Sequence, residues 1–229
     1  RTEATGRGGV FVLEALVKEL KKTNSKLKVA VQGIGNVGYW FAKIAQENGF
    51  EVVAISDSKG GIVGPAFAKA SVGKEIGEYK EKTGSVVGFP GTTPITNDQL
   101  LTTDCDVLVP AALENVITKE NAGKIKAKII IEMANGPITP QADEILNQKG
   151  VIVVPDILAN SGGVTVSYFE WEQNMRDEKW TEEDVNSKLK EKIVEALGEV
   201  WEIGKKKEID LRKAAYVLAV DKVVKAMLK

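Results

Sequence analysis

Val31-Gln32-Gly33-Ile34-Gly35-Asn36-Val37-Gly38 is a G-x-G-x-x-G run between a short apolar strand, Leu27 to Val31, and a segment with helical patterning, Tyr39 to Glu47. The helix stops at Asn48-Gly49, and Glu51 to Ile55 reads as a second strand. Strand, turn, helix and strand within about 30 residues make one right-handed βαβ unit with parallel strands. The three glycines act differently. Gly33 permits the tight turn, Gly35 lets backbone approach a pyrophosphate, and Gly38 lets the helix lie against the sheet. Asn36 and Val37, between the last two, open the helix, whose free N–H groups and partial positive charge suit phosphate. Asp57 follows the second strand about twenty residues on, where a carboxylate accepts both hydroxyls of an adenine ribose. The expectation is a dinucleotide site.

Further apolar strands are expected at Val107 to Val109, Lys128 to Met133 and Val151 to Val154, apolar on both sides as a parallel sheet covered on both faces requires. A helix comes first, Gly8 to Lys22, closed by Thr23-Asn24-Ser25. Long amphipathic helices dominate after Ser161: Gly163 to Met175, Thr181 to Gly204 and Leu211 to Leu228. The Gly-, Thr-, Ser- and Pro-rich stretch from Gly60 to Thr96 reads as a surface excursion with a short helix around Pro65 to Lys82. The fold class is therefore α/β, a Rossmann-like doubly wound and mostly parallel sheet with long C-terminal helices, in a single domain over residues 1–229.

Lys+Arg 31 against Asp+Glu 32 gives a net charge of −1, which offers no general field for nucleic acid or anionic lipid. No apolar run approaches the roughly 20 residues of a membrane span, and no secretion signal opens the chain, so a cytoplasmic protein is expected. The lone Cys105 reads as a small buried hydrophobe. With no histidine, proton transfer near neutral pH falls to a shifted Lys, Asp, Glu or Tyr, or to another polypeptide segment. Arginine occurs only at Arg1, Arg7, Arg176 and Arg212.

Four blocks carry a family likeness: Arg1-Thr2-Glu3-Ala4-Thr5-Gly6-Arg7-Gly8; the glycine run from Val31; Pro110-Ala111-Ala112-Leu113-Glu114-Asn115; and Ala134-Asn135-Gly136-Pro137 continuing to Pro155–Trp171. In this order, and from one end to the other, the chain resembles the cofactor-binding C-terminal part of the glutamate dehydrogenases, within the Glu/Leu/Phe/Val dehydrogenase family. The resemblance implies that Thr5 and Asn160 hydrogen-bond the nicotinamide carboxamide, that Ala111 and Ala112 pass close to the cofactor, and that Asn135 holds the nicotinamide ribose. It also implies that Arg1, Val164 and Ser167 line the pocket for the substrate's side-chain carboxylate, the polar Ser167 favouring glutamate and 2-oxoglutarate. Ser58 and Lys59 could contact a 2′-phosphate that Asp57 repels, so NAD and NADP both stay open.

By the same resemblance the catalytic lysines and aspartate lie in an N-terminal domain, leaving no catalytic residue and no metal ligand on this chain. The start at Arg1 fits that expectation, with residues 1–25 leading from that domain, residues 205–229 packing toward it, and a homo-hexamer as the intact enzyme. The stripe Leu211, Ala215, Leu218, Val223 and Met227 is then expected to be exposed and to promote self-association. A non-catalytic dinucleotide-sensing module is the alternative, and a methyltransferase a more distant one.

Without the family, Asn135 and Asn160 beside glycines are ordinary turn residues, Thr5 is a helix N-cap and Ser167 a solvent-facing hydroxyl. Tyr168, Phe169 and Trp171 read as core, and Lys205-Lys206-Lys207 as a solvated helix end.

Overall fold

The computed structural model describes residues 1–22, 27–64 and 75–228. The expected Thr23-Asn24-Ser25 stop and residues 65–74 of the expected short helix lie outside the described residues. The chain opens with α1 (Ala4–Glu19), then runs β1 (Lys28–Gln32), α2 (Asn36–Glu47), β2 (Glu51–Asp57), β3 (Gly60–Val63), α3 (Gly77–Thr83), β4 (Thr93–Ile95) and α4 (Asn97–Leu101). Next come β5 (Val107–Pro110), α5 (Lys119–Ala122), β6 (Ile129–Ile131), α6 (Pro140–Gln148), β7 (Ile152–Val154) and α7 (Asp156–Ala159). Three long helices close it, α8 (Gly162–Arg176), α9 (Glu182–Lys207) and α10 (Leu211–Met227).

Among the described residues the strands form one sheet in the order β4-β3-β2-β1-β5-β6-β7. The five strands β2, β1, β5, β6 and β7 are mutually parallel, whereas β2–β3 and β3–β4 are antiparallel. The stretch expected to be a mere surface excursion thus contributes two strands that extend the sheet.

Alternation along each central strand divides the core in two. Val29 and Val31, Val107 and Val109, and Ile129 and Ile131 face the layer built by α1, α2, α8 and α9, together with Phe41, Leu13 and Leu16. Ala30, Leu108 and Ile130 face the other layer, with Leu100 of α4, Ala122 of α5 and Leu146 of α6. Burying one such large aliphatic or aromatic side chain contributes about 1.5–3 kcal/mol.

Local chemistry sets the helix ends. Thr139 caps α6 with Pro140 in its first turn, and Thr181 with Asp184 forms a reciprocal capping box on α9. Three acids in the first turn of α9 and Lys205, Lys206 and Lys207 in its last suit the helix dipole, and those lysines are exposed as expected. The first helix begins four residues before the expected Gly8, so Thr5 lies inside it and Glu3 holds the N-cap position. Tyr168 and Trp171 are 55% and 56% exposed, and only Phe169 of that aromatic group is core. On α10, Leu211 and Ala215 are buried rather than exposed, because the helix packs against α9 and β7; the outward apolar row is Tyr216, Val220, Val223 and Met227. No helix of the described residues is long and apolar enough to cross a membrane.

Candidate functional site

The glycine corner is built as its sequence requires. Gly33 has φ +92°, and a Cβ there would sit 2.3 Å from the Cβ of Ala112, so both backbone geometry and the neighbouring loop demand glycine. A Cβ at Gly38 would lie 1.9 Å from the Gly33 carbonyl oxygen. Gly35 differs: its φ is −76° and a Cβ would meet nothing within 4 Å. Nothing among the described residues excludes a side chain at Gly35; it faces open space that an external group can fill.

The corner is held from behind. The Ile34 N–H donates to the Ser56 carbonyl at 2.7 Å, the Gly33 N–H donates to Ser56 Oγ at 3.3 Å, and Lys80 Nζ donates to the Ile34 carbonyl at 2.7 Å. No side chain of the described residues caps α2, and its first turn holds no acid, so this positive helix end suits an anion. Asn36 commits its side chain to the Thr2 carbonyl, 2.9 Å away, and Val37 packs half-buried on the core. Each can therefore offer a phosphate its backbone alone.

β1 and β5 are neighbours, and their following connections leave to opposite faces, to α2 on one side and α5 on the other. Open parallel sheets receive ligands at such a switch point, beyond the carboxyl ends of the strands. Here the Ala111 N–H donates to the Gln32 carbonyl at 2.8 Å, and Ala112 and Leu113 stand exposed beside Gly33. A groove of about 650 Å³ lies between α4 and the segment 115–124, its walls including Gln32, Asn97, Asn115 and Val116. Gln32 Oε1 and Asn97 Oδ1 are buried in it without a hydrogen-bond partner among the described residues. An open cradle at Gly35, an uncapped helix end and orphaned acceptors beneath the switch point together fit a phosphate-bearing dinucleotide.

Asp57 is differently employed from the bare expectation. It is buried, and its Oδ1 accepts from the Lys59 N–H at 2.8 Å and from Ser85 Oγ at 3.2 Å, while Oδ2 accepts from the Val86 N–H at 2.6 Å. Three of roughly four acceptor positions are thus filled. Asp57 ties the β2–β3 turn to the 85–86 loop, and Ser58 and Lys59 are left exposed on that turn.

The residues assigned to the nicotinamide end converge. Asn160, the C-cap of α7, donates through Nδ2 to Asn135 Oδ1 at 2.7 Å. Thr5 reaches the same region because α1 crosses the start of α8 at glycines: a Cβ on Gly8 would lie 2.9 Å from Gly162 Cα, and one on Gly163 would lie 2.5 Å from Thr5 Oγ1. On α8, Val164 is 70% exposed, and the half-buried Ser167 donates to the Gly163 carbonyl at 3.0 Å. Arg1 pairs with Glu170 on the same helix at 2.8 Å, with both side chains largely exposed.

Sequence reasoning missed a buried network below these loops. Arg212 clamps Glu132 with two bonds of 2.8 and 2.9 Å and also bonds Asp143 at 2.9 Å. Glu132 Oε2 further accepts the Asp156 N–H at 2.9 Å, and Asp156 Oδ2 accepts the Gly136 N–H at 2.8 Å. Burial pushes the Glu132 carboxyl up, against the opposing pull of Arg212 and the Asp156 N–H. The one available signal was the rarity of arginine in a lysine-rich chain. Cys105, buried as expected, has its thiol pushed up to about 12 by burial.

The architecture is that of a Rossmann-like doubly wound α/β domain. Residues 1–229 match the family model of the glutamate/leucine/phenylalanine/valine dehydrogenases, and the chain belongs to that family. It is 48% identical to a glutamate dehydrogenase of Thermotoga maritima over 230 aligned positions, covering 100% of this chain and 55% of the relative. The hetero-hexameric glutamate dehydrogenase of Thermus thermophilus, in its Leu-bound form, superposes with a TM-score of 0.90 at 31% identity, over 99% of this chain and 53% of that one. The glutamate dehydrogenase of Peptoniphilus asaccharolyticus gives 0.82 at 36% identity, over 99% and 53%. The chain spans about half the length of these relatives.

Proposed function

We propose that this chain is the NAD- or NADP-binding part of a glutamate dehydrogenase, which interconverts L-glutamate with 2-oxoglutarate and ammonia in a hexameric, cytoplasmic enzyme. The observation that carries the reading is the glycine corner packed on Ala112 at the switch point, with open space at Gly35. The family membership and the glutamate dehydrogenases that the chain matches support it.

The cofactor, when bound, supplies the hydride acceptor or donor. The chain's own residues bind and orient it. The N–H groups opening α2 take the diphosphate, with Gly35 giving backbone access. Ser56 and Lys80 hold that corner to shape, and the remaining acceptor position of Asp57 takes a ribose hydroxyl. Ser58 and Lys59 beside it leave room for a 2′-phosphate. Gln32 and Asn97, in the groove between α4 and the segment 115–124, would hold the base, their oxygens serving as acceptors for its 6-amino group. Asn135 holds the nicotinamide ribose, and Asn160 and Thr5 fix the carboxamide, which selects the ring face turned to substrate.

Val164 and Ser167 line the substrate's side-chain end. Arg1 exchanges Glu170 for the incoming carboxylate, a change of partner to which its exposure sets little barrier. Proton transfer belongs to residues outside this chain, in the N-terminal domain that the resemblance implies, and closure between the two domains excludes water.

Titration of the full chain with NADH and NADPH, followed by nicotinamide fluorescence, tests the cofactor reading. Saturable enhancement is expected; a flat trace with both overturns it. Glutamate-dependent NAD or NADP reduction by the enzyme containing this chain tests the substrate.

A further inference from the structure

The Glu132–Arg212 pair sits below the site and touches no part of the proposed cofactor, yet a continuous set of hydrogen bonds leads from it to the two asparagines. Arg212, in the first turn of α10, holds both oxygens of Glu132, whose side chain is fully buried. Glu132 receives the N–H of Asp156, the first residue of α7. Asp156 in turn receives the N–H of Gly136 through Oδ2 and that of Ile157 through Oδ1. Gly136 follows Asn135 directly, and Asn160 ends the short helix that Asp156 begins, donating its own backbone N–H to the Asp156 carbonyl at 3.0 Å. Asp156 therefore sets both sides of the Asn135–Asn160 bridge, and Glu132 sets Asp156.

We infer that Arg212 is a positioning residue for the nicotinamide end of the dinucleotide, acting through Glu132 and Asp156 on Asn135 and Asn160. The inference rests on the cofactor reading above. The bidentate geometry matters: a guanidinium fills both Glu132 oxygens in one plane, whereas a lysine ammonium holds one at a time and lets the carboxylate rotate about its donor from Asp156. Asp143, the other partner of Arg212, belongs to α6 rather than to the asparagine loops and serves as an internal control.

The test separates the two ends of the cofactor. NADH carries the nicotinamide and its ribose; ADP has the same adenosine diphosphate and lacks both. In the full chain, Arg212→Lys and Asp156→Asn are each expected to weaken NADH about tenfold while ADP changes less than about twofold. Asp143→Asn should leave the ratio of the two affinities as in the unaltered chain. A general loosening of the fold moves both ligands together, and that outcome, like an unchanged NADH affinity in both variants, overturns the inference. Where Arg212→Lys fails to fold, Asp156→Asn alone decides. If the unaltered chain binds neither ligand, the cofactor reading itself falls and this inference with it.

Discussion

Asn160 Nδ2 lies 2.7 Å from Asn135 Oδ1, so a side-chain bond joins the loop after β6 to the turn after β7. Both groups are at the surface, where such a bond has little reason to persist for stability alone. It engages Asn160 Nδ2 and Asn135 Oδ1, so the acceptor left to Asn160 is Oδ1 and the donor left to Asn135 is Nδ2. Asn160→Ala is expected to weaken NADH about fivefold, the equivalent of about 1 kcal/mol for one neutral hydrogen bond, with ADP unaffected. Equal weakening of both ligands in a fluorescence competition would remove Asn160 from the nicotinamide end.

The glycines of the corner should separate binding from folding. Gly35→Val points into open space, so the thermal midpoint should stay within a degree or two of the parent while NADH binding is lost. Gly38→Ala places a methyl group against the Gly33 carbonyl, and a loss of about 1–3 kcal/mol in urea unfolding is expected. Retained NADH affinity in Gly35→Val would falsify the phosphate cradle.

The orphaned acceptors predict a preference for the base. A cofactor with hypoxanthine in place of adenine presents an oxygen where the amino group stood, and two carbonyl oxygens then face it without a proton between them. The full chain should prefer the adenine form by about tenfold, and Gln32→Leu should reduce that preference to about threefold or less. Indifference to the base in the unaltered chain rules out this placement of the amino group.

Acid should loosen α10 at its start. Asp210 caps the helix, accepting the Lys213 N–H at 2.8 Å and pairing with Lys213 Nζ at 2.8 Å. Burial alone would raise its pKa, but the Lys213 side-chain and backbone bonds outweigh that and hold it below the ordinary aspartate value. A carboxyl lowered in the folded state stabilises fully above its unfolded pKa, about 3.9, and this contribution disappears as pH falls through the lower folded value. Asp210→Asn should therefore be less stable than the parent near pH 7, the gap narrowing as pH falls through and below the ordinary aspartate value. A constant gap across that range assigns Asp210 no electrostatic part.

How far the sequence revealed this molecule depends on the range over which each feature is determined. The first strand, glycine turn and second helix were legible because local period and turn chemistry agree there. So were the later parallel strands and the three long helices. β3 and β4 were not: Gly60-Gly61 and Thr93-Pro94-Ile95 read locally as turns, and only pairing with Ile55, Ser56 and each other makes them strands. The glycine spacing pointed to Asp57, but its bonds to Ser85 and Val86 bridge 28 and 29 positions, beyond any local pattern. The Glu132–Arg212 clamp spans 80 positions and announces itself in no motif. Leu211 and Ala215 lie on the same helix as the exposed Val223 and Met227, and spacing alone could not say where the covering layer ends.

The burial of Cys105 has a practical corollary. Its thiol is walled in by aliphatic neighbours, so at neutral pH only a vanishing fraction exists as the reactive anion. It is also the chain's sole cysteine. Maleimide probes attached to a pair of engineered surface cysteines should mark those two positions alone, giving a clean background for distance measurements between the two ends of the sheet.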